Sequence, residues 1–340
     1  MRPPRFWSEL RPSLMARLLR PAASLYGIVA GRRMGRTGEQ AGVPVICIGN
    51  FTAGGAGKTP TAITVACMLQ RSGERPVFLS RGYGGRLAGP VRVDPARHGP
   101  RDVGDEPLLL ARIAPTVVAR DRPAGARLCA EAGASVIVMD DGLQNPSLHK
   151  DLALAVVDAD AGVGNGLCLP AGPLRAPLAA QWPHVDAMVL VGDGAAGEAV
   201  SREAAAQGKP VLRARLVPDP AVAARLEGRR VLAFAGIGHP KKFFSTLERC
   251  GALLVRVREF PDHHAYSEKE VRALLEEARG DALLPVTTEK DLVRIAALGQ
   301  DLAMTITALP VTLAFANEEA LRAELAMHLS RPKISAKGPC

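Results

Sequence analysis

The sequence predicts an α/β layered fold with a mostly parallel sheet, arranged as two α/β domains behind an N-terminal amphipathic helix. Three observations carry this. Short apolar runs alternate with helical stretches along most of the chain, the pattern of strand–helix–strand units. A glycine-rich turn joins one such run to a helix at 52–59. A second alternating series begins after about residue 205, and 340 residues are enough for two ordinary cores. The expected division is a basic amphipathic segment at 1–36, a P-loop domain at 37–207, a second α/β domain at 208–330 and a disordered tail at 331–340.

Charge sets the first segment apart. The chain carries a net +9, yet residues 1–36 hold eight arginines against Glu9 alone, which leaves only +2 for the other 304 residues. A nucleic-acid binder with a basic stripe and interleaved aromatics does not look like this. The arm also holds Phe6, Trp7, Leu10, Leu14, Leu18 and Leu25, with the leucines near helical spacing and arginines between them. Its longest uncharged run, 21–31, has 11 residues, well short of the roughly 20 needed to span a bilayer. Arginine-rich amphipathic segments with Trp and Phe lie in the membrane interface, drawn to anionic lipid. Packing on the domain's own core is the plainer alternative, and a cleaved signal fits poorly.

Residues 43–48 read as a buried strand feeding T-A-G-G-A-G-K-T at 52–59. Glycines let the backbone wrap phosphate oxygens, so that the amides of Thr52, Ala53, Gly54, Gly55, Ala56 and Gly57 and a helix N-terminus face negative charge. Lys58 reaches the terminal phosphates in such loops, and Thr59 offers a hydroxyl to magnesium. ATP and Mg2+ are therefore the expected cofactors. Thr52 stands where the generic motif has glycine.

Further strands are expected at 76–80, 116–119, 135–139, 152–157 and 186–191, with 86–104 as loop. The run at 135–139 ends in Asp140 and Asp141, where a strand-end carboxylate can hold a magnesium ion that bridges phosphates; paired aspartates also form ordinary turns. A helix opens near Gly104-Asp105-Glu106-Pro107, and taken alone Asp105 reads as its N-cap. The second series places strands at 210–217, 229–235, 253–257, 283–287 and 311–315, with helices at 241–249, 267–279 and 318–329. His263 and His264 lie in a polar turn without a third ligand at zinc spacing. The six cysteines are scattered and form no C-x-x-C, which suggests reduced thiols.

Seven ordered motifs carry a resemblance. They are I-G-N-F-T-A-G-G-A-G-K-T-P (48–60), S-R-G-Y-G-G (80–85), G-D-E-P (104–107), D-D-G-L-Q (140–144), L-P-A-G-P-L-R (169–175), F-P-D-H (260–263) and T-T-E-K-D (287–291). Together they closely resemble the tetraacyldisaccharide 4'-kinase family of lipid A biosynthesis, from the basic arm to about residue 316, and Thr52 is that family's own form of the loop. The resemblance implies two α/β/α sandwich domains with the active site in the cleft between them. It also implies ATP-dependent phosphorylation of the 4'-hydroxyl of an acylated disaccharide 1-phosphate, giving lipid IVA. The partners implied are that glycolipid and the cytoplasmic face of the inner membrane, reached through the N-terminal helix, with no nucleic acid and no obligate protein partner. Position by position, Asp105 matches the family's proposed general base and His263 its partner; Asp140, Asp141 and Gln144 match its D-D-G-x-Q element. Arg122 and Arg175 fall at or near basic positions implicated in handling phosphate, and Arg81 belongs to the S-R-G-Y-G-G set. In one departure, Ala176 follows Arg175 where the family usually has glutamate.

Two other classes compete. A membrane-bound P-loop switch would use the arm as an anchor, but the guanine-reading N-K-x-D of GTPases is absent and T-E-K-D at 288–291 lacks the asparagine. A soluble small-molecule enzyme of the dethiobiotin synthetase type would have the arm packed on its core. Turnover that depends on an acylated disaccharide separates the kinase from both.

Overall fold

The computed structural model describes residues 4–9 and 13–329; Leu10 and the tail expected at 331–340 lie outside the described residues. In chain order the strands are β1 (Val45–Gly49), β2 (Pro76–Ser80), β3 (Val91–Arg92), β4 (Thr116–Val118), β5 (Val136–Asp140), β6 (Leu152–Asp158) and β7 (Ala187–Val191). Then come β8 (Val211–Pro218), β9 (Arg230–Ala235), β10 (Leu253–Glu259), β11 (Leu284–Thr288), β12 (Thr307–Leu309) and β13 (Val311–Phe315).

Nine strands form one sheet in the order β13-β8-β7-β6-β1-β5-β2-β4-β3, and four form a second in the order β10-β9-β11-β12. The second sheet is parallel throughout. The first is parallel except where β3 meets β4 and β13 meets β8 at its edges. Every residue of β1, β5, β6 and β7 is buried. Strands covered on both faces can be apolar along their whole length, which is why the sequence showed runs here rather than alternation.

The chain divides differently from the boundary read at 207–208. β8 continues the large sheet, and after the small sheet the chain returns to pair β13 with β8. Leu212 and Ala214 of β8, Leu313 of β13, and Leu321 and Leu325 of the closing helix Glu318–Leu329 share one core with Ile46 and Ile48 of β1. The second unit is thus an insertion between β8 and β13, its exit and return joined by the Asp219 amide donating to the Pro310 carbonyl at 2.9 Å. Strand periodicity reveals which face is apolar, not which sheet will accept the strand. The stretch read as loop at 86–104 also contributes the short edge strand β3.

The N-terminal arm forms a helix, Leu14–Met34, capped by Ser13, whose hydroxyl accepts from the Ala16 amide at 3.2 Å. Its inward face is small: Ala16, Ala23 and Gly27 are buried together with Met34. A Cβ on Gly27 would stand 3.2 Å from both Cys168 Sγ and Pro177 Cγ, so glycine permits the close approach. Its large apolar residues Leu14, Met15, Leu18, Leu25, Tyr26, Ile28 and Val29 are exposed. None of the described helices is long and apolar enough to cross a membrane.

Candidate active site

β1 ends at Gly49, and the chain turns through 50–57 into the helix Lys58–Arg71. Gly57 takes φ 90° at the helix N-cap, a left-handed conformation costly for any side chain. Neighbouring segments hold this turn. The Ala53 amide donates to the Pro173 carbonyl at 2.7 Å, and the Arg175 amide donates to the Phe51 carbonyl at 2.9 Å. Arg175 Nε reaches the Thr52 carbonyl at 3.0 Å. Gln144 donates to the Asn50 carbonyl at 2.7 Å and to Gln181 at 2.8 Å. Gln144 and Arg175 therefore brace the loop from behind. Thr59 is buried, and Lys58 Nζ lies 3.5 Å from the Gly54 carbonyl and 3.7 Å from Asp141.

β5 delivers the paired aspartates, and they are not equivalent. Asp140 is buried, and its Oδ1 has no hydrogen-bond partner. Burial above all, then the charges of Glu106 and Asp141, push its carboxyl up to about 7 against the pull of Lys58 and Lys290. Asp141 sits at φ 54° with both oxygens gripped by the Arg175 fork, at 2.7 and 3.1 Å. Burial works against its charge, but Lys58 and Arg175 keep its carboxyl below the usual range. A buried carboxylate oxygen with no donor is short of a cation, so Asp140 fits a divalent ion. Among the described residues no cluster of three or more His, Cys, Asp or Glu could hold one. Magnesium typically takes one or two carboxylates and completes its shell with phosphate oxygens and water.

The other expected basic residues separate. Arg122 is buried, donating Nη1 to the Ala119 carbonyl at 2.8 Å and leaving Nε without a partner. Arg81 is exposed, and its charge opposes that of Arg122. Ala176 is fully buried.

The two units bring together Asp105 and His263, 158 residues apart in sequence, with Asp105 Oδ2 and His263 Nδ1 at 3.2 Å. Asp105 is not the helix cap. Gly104, at φ 91°, occupies that position and Asp105 is the first helical residue. His263 sits at φ 55° with its amide on the Gly236 carbonyl at 3.0 Å, and the Tyr83 ring lies 5.3 Å from its own. Burial opposes the Asp105 charge, but the His263 hydrogen bond and the cations Lys290 and Arg294 bring its carboxyl down to about 2. The same hydrogen bond raises the His263 imidazole against the effect of burial.

Reading the sequence singled out none of Glu106, Lys290, Arg294 or Lys242, although Glu106 and Lys290 stand inside quoted motifs. Lys290 pairs with Glu106 at 2.6 Å, and Arg294 Nε lies 3.4 Å from Asp105 Oδ2. Lys242 bridges Asp158 and Asp160 at 2.6 and 2.7 Å. A Cβ on Gly238 would lie 3.7 Å from the Gly55 amide, so the loop after β9 comes close to the phosphate loop. The available signal was the basic content of T-T-E-K-D and of the helix it opens; the partners in the other unit, Asp105 and Glu106, are far away in sequence.

The chain is similar to known proteins along nearly its whole length. The family model described as LpxK, tetraacyldisaccharide-1-P 4'-kinase, matches residues 15–330. A tetraacyldisaccharide 4'-kinase of Methylobacterium nodulans is 60% identical over 339 residues, spanning 100% of this chain and 97% of that protein. Another, from Methylobacterium sp. strain 4-46, is 61% identical over 328 residues, 96% of this chain and 97% of that protein. Among solved structures, LpxK from Aquifex aeolicus in complex with ATP superposes with a TM-score of 0.72 at 26% identity, covering 93% of this chain and 100% of that one.

Proposed function

The chain belongs to the tetraacyldisaccharide-1-P 4'-kinase family, and on that premise we propose how its residues divide the work of the reaction. It is an ATP-dependent kinase that phosphorylates the 4'-hydroxyl of tetraacyldisaccharide 1-phosphate. The substrate oxygen attacks the γ-phosphorus, the bond from that phosphorus to the β–γ bridging oxygen breaks, and ADP leaves. Such transfer depends on positioning and charge neutralisation rather than on covalent help from the protein. Lys58 and the amides of 54–59 hold the phosphates, while the Ala53 amide, expected to join them, is spent on the Pro173 carbonyl, and Arg175 and Gln144 keep the loop in shape. Thr59 and Asp140 would hold Mg2+, which neutralises charge on the terminal phosphates when bound, while Asp141, expected to share the ion, is engaged by Arg175.

The proton of the attacking hydroxyl passes to the Asp105–His263 pair. The reading rests on their 3.2 Å contact across the two units. A carboxylate carried down to about 2 is a weak base by itself; the raised imidazole behind it gives the proton a place to rest. Because each unit supplies one partner, the pair exists only while the two units are held together.

The helix Leu14–Met34 docks on the cytoplasmic face of the inner membrane. Its small residues pack on the protein while its seven exposed large apolar residues face outward among arginines. Seating them in lipid is worth on the order of 10 kcal/mol before the cost of immobilisation. An acylated substrate resides at the same surface. Incubation with γ-labelled ATP and tetraacyldisaccharide 1-phosphate should put label on the lipid, and a His263→Ala protein should not. Label on the lipid at a normal rate without His263 would remove the base assignment while leaving the kinase intact.

A further inference from the structure

Arg294 is a buried charge at the junction of the two units. It lies on the helix Glu289–Ala296, which follows β11, with its side chain 7% exposed. A buried arginine costs several kcal/mol of hydration unless its donors are all used. Here they are. Nη1 donates to the Gly236 carbonyl at 3.0 Å and to the His264 carbonyl at 3.3 Å. Nε donates to the Lys290 carbonyl at 3.1 Å and lies 3.4 Å from Asp105 Oδ2 in the other unit. Nη2 pairs with the fully buried Asp291 at 3.1 Å.

Those partners bear directly on His263. The Gly236 carbonyl that Arg294 grips also accepts the His263 amide, at 3.0 Å. The Gly236 amide is fixed from the other side by Asp291, at 3.0 Å. His263 itself sits at φ 55°, a conformation that costs a non-glycine residue on the order of 1 kcal/mol and persists only when its surroundings enforce it. One planar fork thus ties the loop after β9, the turn after β10 and the helix after β11 to the carboxylate across the cleft.

We propose that Arg294 is a positioning residue for the phosphoryl transfer, clamping the 260–264 turn so that His263 meets Asp105 when the units are closed. This rests on the reading of Asp105 and His263 as the base. Lysine in its place keeps a charge but has no fork; glutamine keeps a planar donor but no charge. Facing Asp105 are His263 from the turn, Lys290 and Arg294 from the helix after β11, and Glu106 on its own helix, while Asp262 and Glu106 act on His263. Withdrawing a cation from this group makes the pair a stronger base.

The test measures kcat, KM for ATP and the pH profile of kcat in Arg294→Lys and Arg294→Gln, on the full chain with lipid substrate. Expected in both is a kcat loss of about 10- to 100-fold with KM for ATP within about twofold. In Arg294→Gln the acid limb should move to higher pH by on the order of one unit. A kcat within twofold of wild type in both variants, beside an inactive His263→Ala, would overturn the proposal. So would a kcat loss that follows the loss of folded protein while the acid limb stays put, because that is the mark of a purely structural arginine. If the lysine variant does not fold, the glutamine variant carries the same comparison. Normal turnover in His263→Ala would instead remove the base reading on which the proposal stands.

Discussion

The phosphate side of the cleft is built within one short stretch, 52–59, on a loop braced from behind by Gln144 and Arg175. The side proposed to accept the proton joins Asp105 from the large-sheet unit to His263, Lys290 and Arg294 from the insertion. Their electrostatics differ as well. The first side carries a buried carboxylate pushed up to about 7 with an oxygen unpaired. The second carries a carboxylate saturated by cations and brought down to about 2. One half keeps a buried carboxylate oxygen without a donor, a place for a cation. The other is complete as soon as the two units touch. Such an enzyme can bind ATP without being committed to react.

The sharpest way to break this contrast is to remove one residue from each half. Lys58→Ala should lose both nucleotide affinity and turnover, whereas Asp105→Asn should lose about 10²- to 10⁴-fold in kcat with nucleotide affinity nearly unchanged. Titration of ATP against each variant, alongside turnover, reads the split; equal loss of affinity in both would merge the halves. Next in size is Lys290→Met, which strips the partner from a largely buried Glu106. It should cost about 2 kcal/mol of stability by denaturant unfolding, and an unchanged midpoint would mean that the pair contributes nothing to closure.

Asp140 gives a smaller effect of opposite sign. Its carboxyl lies at about 7, above the ordinary 3.8, so its contribution to stability is full below about pH 4 and is lost as pH rises through 7. In nucleotide-free protein at neutral pH, Asp140→Asn should therefore raise Tm by about 2–4 °C, while abolishing the extra stabilisation from ATP with magnesium. A lower Tm would show that the unpaired oxygen had been satisfied all along. Least disruptive to the site itself, Leu18→Asp with Leu25→Asp should weaken sedimentation with anionic vesicles and spare activity in detergent. Equal loss in both media would assign the helix to packing.

How far the sequence could be read follows from the same contrast. T-A-G-G-A-G-K-T is legible because its chemistry is local: the glycines, lysine and hydroxyl that cooperate are neighbours in the chain. Asp140 and Asp141 were placed because a strand end is a local signal, but their unequal roles depend on Arg175, which grips only one of them. Asp105 read most simply as a helix cap, and nothing near residue 105 announces a histidine 158 positions away. The helical character of the arm was visible in its leucine spacing. That its small face, not its large one, turns inward became clear only against Cys168 and Pro177.

By itself the sequence determined the alternation of strands and helices, the phosphate loop and the segregation of basic charge into the arm, since each depends on residues within a few turns of one another. Only the tertiary structure decided that β8 and β13 belong to the large sheet, that the second unit is an insertion, and that Arg294 and Lys290 lean on Asp105 and Glu106. Those outcomes depend on which apolar faces and charges find each other across long loops. Hydrophobic pattern and charge sign restrict such pairings without naming the partner.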